Sequence, residues 1–84
     1  MKLLLVEDDL ILCDALAPDL RKAGYAVELA HNGIDAFHLA SEENFDAVIL
    51  DLGLPEKNGL QVLEELRQQK NLTPVLILTA RDSW

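Results

Sequence analysis

The sequence predicts an α/β domain built on a doubly wound parallel sheet, and two observations carry that expectation. Four short runs rich in apolar residues, at residues 2–6, 25–30, 47–50 and 74–78, alternate with three segments of helical period. In Leu3-Leu4-Leu5-Val6 and Ala47-Val48-Ile49-Leu50 the apolar character is continuous rather than alternating, the pattern of strands covered on both faces by helix layers. Right-handed crossovers then wind the β-α-β-α-β-α-β succession around the sheet.

The first strand is read at residues 2–6. Asp9 is placed to cap the first helix, in which Leu10, Cys13, Leu16, Ala17 and Leu20 recur at spacings of three and four, and Gly24 supplies its stop. Pro18 is discordant: inside a helix it removes the bond to the Asp14 carbonyl at a cost of about 3 kcal/mol, so a kink or an early stop is expected there. The second strand is read at residues 25–30. His31-Asn32-Gly33 then turns into a second helix with Ile34, Phe37 and Ala40 on its inner face. The third strand runs from Ala47 to Leu50. A loop from Asp51 to Gly59 leads to a third helix, which turns Val62, Leu63 and Leu66 inward and Glu64, Glu65 and Arg67 to water. The fourth strand, Pro74 to Leu78, closes with Thr79-Ala80.

Composition narrows the function. A chain of 84 residues makes one domain at most, and one of that size buries only about 60 to 65 per cent of its unfolded surface. With 50% hydrophobic residues disorder is not expected. A net charge of −8, with seven scattered Lys and Arg residues, opposes binding to phosphate backbones, so these residues alone are not expected to grip nucleic acid. No apolar stretch approaches the roughly 20 residues of a membrane span. The single cysteine, Cys13, forms no internal disulfide, and no signal-peptide succession opens the chain, so the cytoplasm is the expected location. Cys13, Tyr25 and Phe37 read as packing residues and His31 and His38, which lack metal-ligand spacing, as surface residues; Trp84 has no assignable role.

Two strands stop at acids: the first at Glu7 and Asp8, the third at Asp51. If these strands are parallel neighbours, the three carboxylates meet at the carboxyl edge, where open α/β sheets form their ligand crevice. Carboxylates about 4 Å apart repel by roughly 4 kcal/mol at an effective dielectric near 20, so the cluster calls for a cation, a proton or water, and a divalent metal is the natural guest. Each acid also has an ordinary alternative. Asp51 could be a turn residue, Glu7 and Asp8 a solvated loop, and Thr79 a plain β-branched strand residue. Asp9 reads as a cap, because a helix N-terminus favours an anion with or without metal.

The stretches Leu-Leu-Leu-Val-Glu-Asp-Asp at 3–9, Val-Ile-Leu-Asp-Leu-Gly-Leu-Pro at 48–55 and Leu-Thr-Ala-Arg at 78–81 together resemble the receiver domain of bacterial two-component response regulators. The finer pattern resembles the PhoP-like branch of the winged-helix (OmpR-type) transcription regulators. The resemblance implies a CheY-like, flavodoxin-like sheet of strand order 2-1-3-4. It implies Asp51 as phosphoacceptor, taking a phosphoryl group from a sensor histidine kinase. It further implies Mg²⁺ held by Asp8, Asp51 and the Gly53 carbonyl, with Glu7 acting through a metal-bound water, a set that suits the preference of Mg²⁺ for few carboxylates and several waters. Thr79 would hydrogen-bond the phosphoryl group and Ala80 leave it room. Such a domain is a phosphoacceptor with at most weak self-phosphorylation or dephosphorylation, rather than a true enzyme.

Receivers of this family continue through a fourth helix, a fifth strand with a phosphate-pairing lysine and a fifth helix. On this reading residues 1–84 are the N-terminal portion of the domain, without those elements and without the DNA-binding output module. Neither Lys57 nor Lys70 follows a fifth strand, so phosphoryl transfer is expected to be impaired in the chain as given. Val75 to Leu78 would then form an open edge, through which self-association, as a homodimer or by element swapping, is expected. Two other classes stay open. One is a nucleotide-binding α/β module, for which the first strand's turn lacks the glycine-rich cradle. The other is a receiver-like interaction module that takes no phosphate.

Overall fold

The computed structural model describes residues 1–78. Strands β1 (Lys2–Val6), β2 (Ala26–Ala30), β3 (Ala47–Asp51) and β4 (Val75–Leu78) alternate with helices α1 (Leu10–Lys22), α2 (Gly33–Glu42) and α3 (Gly59–Gln68). All pairings are parallel, in the order β2-β1-β3-β4, with Val6 beside both Ala30 and Leu50. The expected class and strand order are therefore present. Each boundary falls within a residue of the sequence reading: β2 begins at Ala26, β3 runs on to Asp51, and β4 begins at Val75. Pro74 has no N–H to give the ladder, but its carbonyl accepts from Val48 N at 2.9 Å.

Side chains explain where the helices start. Asp9 Oδ1 accepts from the amides of Ile11 and Leu12 at 3.0 and 3.2 Å. Asn32 accepts from Asp35 N at 2.8 Å, and Asn58 forms a reciprocal capping box with Gln61. Gly24 adopts φ +102°, the left-handed conformation that ends α1.

The expected early stop at Pro18 does not occur, since α1 continues to Lys22. Pro18 and Asp14 both lie on the exposed face, where water can take the carbonyl that Pro18 leaves without a partner. Two inward assignments are also corrected: Leu10 is 58% exposed and Ile34 43%. Both sit in the first turn of their helix, and Ala36 takes the buried place in α2. Glu65, expected in water, is half-buried and paired with Lys57.

Successive residues of β1 face opposite layers. Leu4 and Val6 join Val48, Leu50, Val62 and Leu66 under α2 and α3, whereas Leu5 packs with Cys13, Ala17 and Val27 under α1. This two-sided core is why the strands read as continuous apolar runs. Leu50, fully buried, should cost about 2–5 kcal/mol when cut to alanine, and Leu60→Ala, at a position 55% exposed, close to nothing. Urea denaturation of the two variants checks this. At β4, Leu76 and Ile77 are 63% and 40% exposed. Thr79 and Ala80 lie outside the described residues.

Candidate functional site

The parallel register brings the ends of β1 and β3 together. Val6 pairs with Leu50, so the next residue on each strand, Glu7 and Asp51, emerges on the same edge, with Asp8 following. Carboxylate oxygens of Glu7, Asp8 and Asp51 all lie within 4.8 Å of one another. Glu7 and Asp51 are only 4% and 3% exposed, while Asp8 opens to solvent. The convergence expected from sequence is thus present, with one charge at the mouth and two beneath it.

Backbone amides hold the buried acids. Asp9 N donates to Glu7 Oε2 at 3.1 Å, and Gly53 N to Asp51 Oδ1 at 3.2 Å. Among the described residues no buried side-chain nitrogen or oxygen lacks a partner. The loop after Asp51 is fixed by close approaches. Gly59 N donates to Leu52 O at 3.0 Å, and a Cβ on Gly59 would fall 2.4 Å from the Asp51 carbonyl oxygen. Lys57 pairs with Glu65 and lies 5.0 Å from the centre of the Phe37 ring.

Burial, followed by the charge of Asp51, pushes the Glu7 carboxyl from 4.5 up to about 7, against the Asp9 amide that favours its ionised form. A folded-state value above the unfolded one means that the folded chain binds the extra proton between about pH 4.5 and 7. Stability should therefore fall as pH rises through that window, by on the order of 1–3 kcal/mol, and level off above it. Urea midpoints at pH 5, 6, 7 and 8 without divalent ions test the sign. The donor set fits a hard divalent cation: oxygen ligands only, more negative charge than the pocket holds comfortably, and one side open to water.

Sequence reasoning missed His31, taken as a surface residue. It is half-buried, with Nδ1 2.9 Å from the Glu7 carbonyl oxygen. The signal was the register: Ala30 lies opposite Val6, which places residue 31 beside Glu7. Cys13 is core as expected, and burial pushes its thiol up, so it stays protonated and donates to that carbonyl at 3.4 Å. His38 is exposed and Asp9 is the α1 cap, both as expected.

With acids of this kind at the carboxyl edge of this sheet, the family can be assigned. The family model described as "Response regulator receiver domain" matches residues 3–84, and the chain belongs to that family. Among curated relatives, it is 48% identical over 82 residues to the response regulator protein PmrA of Pseudomonas aeruginosa, covering 98% of this chain and 37% of that protein. The chain thus spans little more than a third of that relative's length. Among solved structures, it superposes with a TM-score of 0.91 and 34% identity on the receiver domain of the sensor histidine kinase PA1611 of P. aeruginosa, with a magnesium ion coordinated in its active-site cleft. That match covers 98% of this chain and 69% of the other. The response regulator TrrA of Thermotoga maritima, in complex with Mg²⁺ and BeF, gives a TM-score of 0.89 at 33% identity, covering 96% and 70%.

Proposed function

We propose that these residues are the phosphoacceptor portion of a two-component response regulator. In this reading a carboxylate oxygen of Asp51 attacks the phosphorus of a phosphohistidine on a sensor histidine kinase. A P–O bond forms, the P–N bond breaks, and the imidazole leaves with the electron pair. The observation that carries the reading is the gathering of three acids within 4.8 Å around a buried strand-end aspartate.

Asp8 and Asp51 would hold Mg²⁺ with the Gly53 carbonyl, and Glu7 would act through water. When bound, the ion neutralises charge on the transferring phosphoryl group. The rest falls to the chain itself. The Gly53 amide orients Asp51 Oδ1, the end of β3 keeps the nucleophile at one place, and the open side at Asp8 admits the donor. Thr79 and Ala80, assigned by the Leu-Thr-Ala-Arg motif, would bond the phosphoryl group and leave it room.

The magnesium seen in PA1611 and the Mg²⁺–BeF complex of TrrA support this use of the site. By the same family reasoning the chain works in the cytoplasm and controls a DNA-binding output module, with no catalytic turnover beyond weak self-phosphorylation or dephosphorylation. Titration with Mg²⁺ and beryllofluoride tests the proposal. A metal-dependent response lost on Asp51→Asn supports it, and no response in the unaltered chain favours an interaction module that takes no phosphate.

A further inference from the structure

The main chain of Glu7 is held by groups the phosphoacceptor chemistry does not use. β1 ends at Val6, so the Glu7 carbonyl lies beyond the strand, and side chains take it. His31 approaches from the end of β2 with Nδ1 at 2.9 Å, and Cys13 donates its thiol hydrogen from α1 at 3.4 Å. The Glu7 amide completes the set by donating to the Ala30 carbonyl at 3.0 Å. A carbonyl oxygen only accepts, so the ring nitrogen facing it must carry a hydrogen, which fixes His31 with a proton on Nδ1.

We propose that His31, through its Nδ1–H, is a positioning residue for the acidic pocket: with Cys13 it pins the Glu7 main chain, and with it Asp8, at the spacing from Asp51 that a divalent cation requires. The inference rests on the magnesium-dependent reading above. The need for a pin follows from charge. Without a cation the three acids repel, and a chain segment just past the end of a strand is free to swing its carboxylate away. Three bonds on the main chain of one residue, reaching the end of β2 and α1, remove that freedom. Loss of such a supporting partner weakens metal affinity by roughly tenfold or more in comparable sites.

Two measurements test this on the chain as it stands. Long-range proton–nitrogen NMR of the histidine rings, at a pH where they are neutral, should show His31 protonated on Nδ1; the opposite tautomer overturns the contact. Calorimetric Mg²⁺ titrations, with urea midpoints alongside, should show His31→Phe, which keeps the ring shape without the donor, binding roughly tenfold more weakly. His31→Asn, whose amide nitrogen takes the place of Nδ1, should recover most of the loss. Equal affinity in folded His31→Phe and the unaltered chain overturns the proposal, as does a failure of His31→Asn to recover affinity. If His31→Phe does not fold, the tautomer and His31→Asn, expected near the unaltered affinity, decide. An unaltered chain that binds no Mg²⁺ removes the magnesium reading itself, a result distinct from the others.

Discussion

Asp51→Asn should make the metal-free chain harder to unfold while abolishing its response to Mg²⁺ and beryllofluoride. The two effects have one cause. Asp51 and Glu7 are both nearly fully buried, and the charge of Asp51 helps drive the Glu7 carboxyl to about 7. An asparagine keeps the shape and an oxygen for the Gly53 amide, but removes one of two adjacent negative charges. Above pH 7 the relief should be about 1–3 kcal/mol, less than the full Coulomb repulsion because Asp8 opens the pocket to water. With Asp51 neutral, the slope of stability against pH should also flatten, leaving the burial of Glu7 as its main source. Urea denaturation at pH 5 and pH 8, with and without Mg²⁺, measures all three. A destabilised Asp51→Asn chain at pH 8 would mean that the aspartate is a structural partner rather than a strained functional group.

Gly33→Ala is expected to damage the chain more than its size suggests. A Cβ at Gly33 would lie 1.7 Å from the Lys57 carbonyl oxygen and 2.6 Å from its carbon, distances that no side-chain rotation relieves because both atoms are backbone. Either α2 must lift from the β3–α3 loop or the loop must shift. The loop is tied by Gly59 N to Leu52 O and by Lys57 to Glu65 and Phe37. We expect a loss of about 2–4 kcal/mol, with weaker Mg²⁺ binding because Gly53 and Asp51 sit at the head of the same loop. Gly24→Ala is the control. There nothing lies within 4 Å of the added Cβ, but φ is +102°, so the cost should be about 1 kcal/mol with metal affinity unchanged. Thermal or urea midpoints, paired with Mg²⁺ titration, separate the cases; a Gly33→Ala chain as stable as the original would contradict the close approach.

The elements were legible in the sequence because the contrast between apolar runs and helical spacing survives along most of the chain. Pro18 is the discordant position, and of the two outcomes expected there the early stop is absent, because the exposed face of α1 tolerates a carbonyl without a helical partner. Leu10 and Ile34 were misplaced for a different reason. Spacing identifies the stripe of a helix but not which of its turns is covered, and both residues, in the first turn, stay exposed. Glu7, Asp8 and Asp51 were legible because a strand end is a position in three dimensions as well as in sequence. The contacts of His31 with Glu7 and of Lys57 with Glu65 and Phe37 were not, since they depend on how β2 registers against β1 and how a loop folds over α2.

β1 has a strand on each side and a helix layer above and below, and Leu4, Leu5 and Val6 admit no solvent at all. Their amides are expected to exchange hydrogen last, with the opening of the whole domain. Because Glu7 and Asp8 hang directly from that segment and Asp51 from β3, fraying that starts at the outer strand β4 begins away from Glu7 and Asp8, whereas opening of β2 releases the His31 and Ala30 contacts that hold Glu7. Ligand capacity is thus tied to the β2–β1–β3 part of the sheet rather than to its β4 edge.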